Sequence, residues 1–482
     1  MEKNGITGGR ELPEAFVSRM REILGDAFSD FFSAMDAPPV RGLRANPVGG
    51  KTRLGDLPVR PIPGIGDAYF LDTDERIGRH PLHHAGAFYL QEPAAMLPVA
   101  AALSEGLIRK GDRVLDLCAA PGGKTFQLAS AVGETGLLVS NEIVPSRCAV
   151  LAGNVERLGL RRVIVTNADP RAQGENLPGF FDVLVVDAPC SGEGMFRKTP
   201  EAVLEWSPAS PASCAERQRA ILKQALPALK AGGVLVYSTC TYSPEENEET
   251  VAWLLREYPA LSLLPVTDPT ILSYTDPGLP REGVPAGATR RHYPHSGGGL
   301  FGGEGQFFAL FRLSAPIGGP APKTKKGGEA KRPSRDVAQL TDAFLRDTLT
   351  ARPVTDPALF KGKVVLPPAE LPFPENLIYA NGVTLGEIRP GRLVPHHAFF
   401  AAYGADFRRK LDFSSDDPAL AAYLHGDVIQ AHGLSDGWGV VLCEGVPVGG
   451  VHITSGLAKN HYPKGLRTTG AYGTDRKTNG ES

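Results

Sequence analysis

Apolar residues recur along this chain with two different periods, and the change of period divides it. Near the start, Phe16, Met20, Ile23 and Leu24 share one face at helical spacing, which predicts an amphipathic helix beginning at Leu12. Further on, the apolar positions close up into short, mostly β-branched runs at 113–117, Leu137–Asn141, 163–167, 183–187 and 234–238. Continuous runs of this kind suit strands buried on both faces of a parallel sheet. Helix-like stretches at 145–158 and 215–229 lie between them, and strands alternating with helices predict a doubly wound α/β fold. Towards the end, Gly437-Trp438-Gly439-Val440-Val441-Leu442 and Val448-Gly449-Gly450-Val451-His452-Ile453 read as a hairpin, with Pro447 at the start of its second strand.

These shifts imply a mostly helical lead domain at 1–100, an α/β domain at 101–313, a linker at 314–335 and a C-terminal extension at 336–482. The linker is rich in Pro, Gly and Lys, the composition of a solvated tether, with a basic contact to nucleic acid as the alternative. The tail after about Tyr472 has the composition of a disordered segment. Within the lead domain, Arg41-Gly42-Leu43-Arg44-Ala45-Asn46-Pro47 reads as a basic turn or strand.

Composition narrows the class. Of the 482 residues, 42% are hydrophobic and 22% charged, which permits a large core. A net charge of −2 and a sequence pI near 6.6 do not suit a protein that coats nucleic acid, although a local basic face remains open. The stretch Lys459, His461, Tyr462, Lys464 and Arg467 is one such candidate, with an ordinary exposed turn as the equal alternative. Six Cys stand at 118, 148, 190, 214, 240 and 443 without zinc-ligand spacing, so free thiols, a reducing cytoplasm and no metal are expected. No apolar run approaches the roughly 20 residues of a membrane span. The polar opening Met1-Glu2-Lys3-Asn4-Gly5 is unlike a secretory signal.

Three strings carry candidate chemistry, and each follows a run that should end a strand. The first is Leu115-Asp116-Leu117-Cys118-Ala119-Ala120-Pro121-Gly122-Gly123-Lys124-Thr125. Its Pro-Gly-Gly turn into a helix lets backbone approach a ligand closely. Glu142 follows the next run, where an acid suits a ribose hydroxyl, and Asp169 follows the third, where it could meet an adenine edge. A P-loop is the competing reading, because Gly123-Lys124-Thr125 matches its end; the position of its first glycine, however, is Cys118.

The other two strings are Asp187-Ala188-Pro189-Cys190-Ser191-Gly192 and Ser238-Thr239-Cys240. Most cysteines are small buried hydrophobes, the reading taken for Cys148, Cys214 and Cys443, while Cys118 is expected to act through backbone or packing. Cys190 and Cys240 differ because both sit in polar turns after apolar runs. A thiolate can add to carbon 6 of a cytosine ring and make carbon 5 nucleophilic towards a methyl sulfonium. A second group must then help release, and an acid such as Asp187 could hold N3 and N4 of the ring.

Together these strings resemble the Nop/Sun family of RNA cytosine-5 methyltransferases. Further matches are Arg217-Gln218, Tyr242-Ser243-Pro244-Glu245-Glu246-Asn247-Glu248 and Gly302-Gly303-Glu304-Gly305-Gln306-Phe307-Phe308. The lead residues from Leu12 to Pro47 are similar to the bacterial RsmF-type 16S rRNA branch. So are Gly386-Glu387-Ile388-Arg389-Pro390-Gly391-Arg392, Pro395-His396-His397-Ala398 and the run from Lys459 to Arg467. The resemblance implies a Rossmann-like class I methyltransferase domain, a small N-terminal α-rich domain and a C-terminal mixed α/β, PUA-like RNA-binding extension. It implies S-adenosyl-L-methionine as cofactor, held by Cys118, Ala119, Ala120, Pro121, Gly122, Gly123, Lys124, Glu142, Asp169 and Asp187. It implies Cys240 as nucleophile, Asp187 activating the base and Cys190 assisting release. The expected partner is RNA, 16S rRNA or the small subunit, with 23S rRNA or tRNA as alternatives. An RNA-binding assembly factor with secondary methylation is the rival class, and methylation of a small molecule or a protein a third.

Overall fold

A computed structural model describes residues 6–7, 10–299, 301–318, 331–369, 371 and 373–468. Its centre is a sheet built on β1 (Arg113–Asp116), β2 (Leu137–Asn141), β3 (Val163–Thr166), β4 (Phe181–Asp187) and β5 (Leu229–Thr239). β6 (Gln306–Leu313) and β7 (Ile378–Asn381) extend it on either side. Seven of its ten strands stand in the order β6-β5-β4-β1-β2-β3-β7, with β1 to β5 mutually parallel and β6 and β7 antiparallel to their neighbours. Successive side chains of a strand point to opposite faces. Val114, Val183, Val185 and Val236 thus enter one core, while Leu115, Leu184, Val186 and Tyr237 enter the other. Because the order reverses between β1 and β4, a crevice opens at their carboxyl ends, where ligands of such sheets bind.

The expected strands and the helix Pro145–Arg157 are present. The helix anticipated at 215–229 runs instead from Ser210 to Ala225, with Arg217 and Gln218 inside it. Pro227 stands in the 3-10 turn that follows and cannot donate to a continuing helix, and Leu229 already opens β5.

The lead domain is less helical than expected. Helices Glu14–Leu24 and Phe28–Asp36 precede a four-stranded antiparallel sheet of Val59–Pro61, Ala68–Leu71, Gly42–Ala45 and Phe88–Leu90. Strands of three or four residues offer too few alternations to register as a pattern. Phe16, Met20, Phe31 and Met35 pack directly on Phe196, Trp206, Tyr242 and Tyr293 of the α/β domain.

The C-terminal extension is equally fused. β7 pairs with β3, and Phe360, Val365, Leu371 and Phe373 join one face of the central sheet. The hairpin Gly437–Cys443 with Val446–Thr454 forms as expected, inside a five-stranded sheet. Its core residues Val451 and Ile453, with Tyr423, share one cluster with Leu43 and Phe88 of the lead domain. Both flanks of the linker are anchored: the Ser314 amide donates to Ala260 O and Lys331 bridges Leu359. Residues 319–330 and the tail after Tyr472 lie outside the described residues.

This fusion predicts that Ile378→Ala, at a position 1% exposed on β7, destabilises the whole chain by about 2–4 kcal/mol. Denaturant melts followed by near-UV and far-UV signals should shift together. An unshifted melt would show that β7 is not an integral strand of the sheet.

Candidate active site

The two thiol turns meet because their strands run side by side. β4 and β5 are parallel and in register, with Asp187 opposite Ser238, so the chain leaves both strands at the same height. Beyond the strand ends the turns stay bonded. Ala188 N donates to Ser238 O at 2.8 Å, Gly194 N to Cys240 O at 3.0 Å, and Gly305 N to Gly194 O at 2.9 Å. Gly194 and Gly305 approach so closely that a Cβ on either would stand 2.5–2.6 Å from the other's Cα. The outcome is a Cys190 Sγ to Cys240 Sγ separation of 3.2 Å, with both residues partly exposed. The hydrogen bond to Cys240, followed by burial and the nearby Glu246, pushes the Cys190 thiol well up.

Beside the thiols lies the cofactor turn. Leu117 N donates to Val185 O at 3.0 Å and Ala119 N to Asn141 O at 2.8 Å, locking the turn across β1, β2 and β4. Gly122 has φ +115°, a conformation that side chains resist, and the helix Gly123–Val132 follows. A cavity of about 290 Å³ opens here, lined by Tyr89, Asp116, the turn residues Cys118, Ala119, Ala120, Pro121, Gly123 and Lys124, and Asp187. Lys124 Nζ pairs with Asp187 Oδ2 at 2.9 Å, and Ser238 Oγ donates to Asp187 Oδ1 at 2.6 Å. Asp116 is fully buried; Thr125 Oγ1 donates to its Oδ2 at 2.7 Å, while its Oδ1 has no partner among the described residues. Burial pushes the Asp116 carboxyl up to about 7.

Not every anticipated residue lines this cavity. Glu142 is buried at the end of β2, accepts from Val144 N at 2.9 Å and pairs with Arg147 at 3.6 Å. Asp169 is exposed and caps the helix Pro170–Asn176 by accepting from Arg171 N at 2.9 Å. Cys118 packs at the edge of the core, and Cys148, Cys214 and Cys443 are buried, all as anticipated. In the C-terminal basic stretch Lys459, His461 and Lys464 are exposed. Tyr462, however, is 2% exposed and bonds His84 Nδ1 at 3.0 Å, which removes it as a stacking platform.

Other groups were given no role by the sequence. Asp116 sits inside the first string, but nothing in its spacing says that it is buried. Glu193, Gln218 and Glu246 are each 0% exposed behind the thiol turns. Arg19 of the lead domain reaches Glu193 at 3.5 Å and also pairs with Glu245. The strings Arg217-Gln218 and Tyr242 to Glu248 were the available signals for this cluster. Among the described residues no group of His, Cys, Asp and Glu is placed to hold a metal, and no helix is long and apolar enough to cross a membrane.

Comparison with known proteins agrees with this geometry. Residues 107–312 match the family described as 16S rRNA methyltransferase RsmB/F. Residues 12–93 match the N-terminal domain of 16S rRNA methyltransferase RsmF, and 410–468 the RsmF PUA domain. Ribosomal RNA small subunit methyltransferase F from Klebsiella pneumoniae (strain 342) is 33% identical over 94% of this chain and 96% of its own length. The protein of the same name from Escherichia fergusonii is 37% identical over 70% of this chain and 71% of its own. Among solved structures, a methyltransferase homolog from Pyrococcus horikoshii aligns at TM-score 0.50 and 28% identity, covering 62% of this chain and 95% of that one. NSun6 from the same organism, crystallised with SFG, shares the fold at TM-score 0.52 and 18% identity over 63% of this chain and 98% of its own.

The buried Asp116 makes stability depend on pH with a definite sign. An acid whose pKa is raised by folding, from about 3.9 to about 7, contributes stability that is complete below the lower value and is lost as pH rises through the upper one. Asp116→Asn is therefore expected to gain stability relative to the parent between pH 5 and pH 8, by at most about 1.4 kcal/mol per pH unit. Urea midpoints at the two pH values measure this, and a difference that does not change with pH contradicts it.

Proposed function

Since the chain belongs to the RsmF family of 16S rRNA methyltransferases, we propose that it transfers a methyl group from S-adenosylmethionine to carbon 5 of cytosine in 16S rRNA through a Cys240 adduct. The observation that carries this reading is the 3.2 Å pairing of two thiols on turns next to a cavity that Asp187 and the Cys118 to Lys124 turn line. Transfer to oxygen or nitrogen needs no such pair, whereas addition to carbon 6 followed by release uses both.

The residues present suit the cofactor. The turn Cys118 to Lys124 offers backbone at close range, and Asp116 lines the same cavity with its Oδ1 unpartnered among the described residues, an acceptor that a polar ligand would satisfy. When bound, S-adenosylmethionine supplies an electrophilic methyl group on a sulfonium sulfur. Glu142 and Asp169 stand at the ends of β2 and β3, on the rim where a ribose and an adenine would lie.

The chain's own groups divide the remaining work. Cys240 Sγ forms a bond to carbon 6, and the ring electrons gather at carbon 5. Asp187, held by Lys124 and Ser238, is set to accept a hydrogen bond from the cytosine amino group. After transfer a water molecule takes the carbon-5 proton, the freed pair restores the ring double bond, and the carbon–sulfur bond breaks with its pair left on Cys240 Sγ. Cys190, 3.2 Å from that sulfur, is in place to exchange a proton with it. The target base has to leave its stack to reach the thiols. The exposed Lys459 and Lys464 of the C-terminal sheet are suited to phosphates, which position RNA without reading its sequence. Free thiols throughout the chain accord with action in the cytoplasm.

Cys240→Ala is expected to reduce turnover by at least about 10³-fold while calorimetry shows S-adenosylmethionine binding intact. Full activity in that variant would remove the mechanism. Cys190→Ala is expected to accumulate a covalent protein–RNA species on denaturing gels, and its absence would remove the release role.

A further inference from the structure

Behind the two thiol turns lies a hydrogen-bonded brace that the chemistry above does not use. Glu246, fully buried, accepts twice from one residue: from Ser191 N at 3.0 Å and from Ser191 Oγ at 2.5 Å. Ser191 is the residue after Cys190. Its hydroxyl also meets Thr241 Oγ1 at 2.8 Å, and Thr241 is the residue after Cys240. A carboxylate therefore holds one turn by its backbone and side chain, and that side chain holds the other turn.

The brace is itself fixed from several sides. Gln218 Nε2, on the helix Ser210–Ala225, donates to Glu246 Oε2 at 2.8 Å and lies 3.1 Å from Pro189 O of the Cys190 turn. The Tyr237 hydroxyl, on β5, is 2.6 Å from Glu246 O and 2.8 Å from Gln218 Oε1. On the far side Thr241 Oγ1 lies 3.1 Å from Glu193, which Arg19 pairs. A buried carboxyl is kept only where its hydrogen bonds are satisfied. Here the partners that satisfy it are the residues that follow the two thiols.

We propose that Glu246 is a positioning residue that clamps the Cys190 turn to the Cys240 turn through Ser191 and Thr241, keeping the releasing thiol aligned with the attacking one. This rests on the thiol-pair reading above. Glu246 touches neither ring nor cofactor; it acts through Ser191. Burial raises the Glu246 carboxyl to about 7, and above that pH its negative charge also helps to hold the Cys190 proton in place.

Glu246→Gln keeps the shape but offers one acceptor where two are used. The enzyme should bind S-adenosylmethionine normally and carry out a first transfer, yet release slowly. Steady-state turnover is expected to fall at least about tenfold with KM for RNA little changed, and a covalent RNA species to accumulate as in Cys190→Ala. A purely structural role would lower the melting temperature and reduce single and multiple turnover together, with no adduct. Finding that pattern, or unchanged turnover, while Cys190→Ala does trap RNA, overturns the proposal and leaves the thiol-pair reading intact.

If Cys190→Ala traps nothing, the thiol-pair reading fails, and the clamp is judged by a readout independent of RNA. Alkylation of Cys190 by iodoacetamide at pH 8, followed by peptide mass, should speed up at least about threefold in Glu246→Gln, because a freer turn and a lost negative charge both favour thiolate attack. An unchanged rate overturns the clamp. Ser191→Ala removes only the hydroxyl link and should move every readout in the same direction by less, which covers the case in which Glu246→Gln fails to fold.

Discussion

The structure depends on one alignment, the parallel pairing of β4 and β5 with Asp187 opposite Ser238. Each strand is buried on both faces, and a slip of one residue would exchange the contents of the two cores. The register is therefore strongly fixed, and everything beyond the strand ends inherits it. The thiols meet, Ser238 reaches Asp187, and Asp187 reaches Lys124 of the cofactor turn, so that two candidate binding regions share one carboxylate.

The flanking domains are better understood as walls of this site than as appendages. The lead helices cover the loops that follow Cys190 and Cys240, with Phe16 4.9 Å from Phe196 and Phe31 5.4 Å from Tyr242, ring centre to ring centre. Arg19 brings a charge from that domain to the carboxylates behind the thiols. The C-terminal extension supplies an edge strand to the sheet and shares a core with the lead domain. RNA held at these outer surfaces would consequently be held at a fixed distance from the chemistry.

Much of this was legible in the sequence because it rests on local pattern. Strands buried on both faces declare themselves as β-branched runs, and turns that hold ligands as glycine-rich strings, so β1 to β5, Lys124, Asp187, Cys190 and Cys240 could be located from composition and order. What escaped was long-range. The lead sheet is made of strands too short to show a period, and β7 belongs to a sheet whose other strands lie more than sixty residues away. Glu246 and Gln218 look like surface residues of polar segments and are buried only because two turns and a helix close over them. Tyr462 ran the other way: an aromatic among basic residues suggested an RNA contact, but packing against His84 gives it a structural role. Asp169 serves as a helix cap, a use its place after a strand equally well explains.

On this reading the paired thiols serve to methylate cytosine in ribosomal RNA. Bisulfite sequencing of total RNA from a strain carrying this gene and one lacking it tests that most directly. Loss of protected cytosines at discrete positions in 16S rRNA is the predicted result. Loss confined to tRNA or 23S rRNA would keep the chemistry and contradict the substrate, and no loss anywhere would contradict the account of the thiol pair.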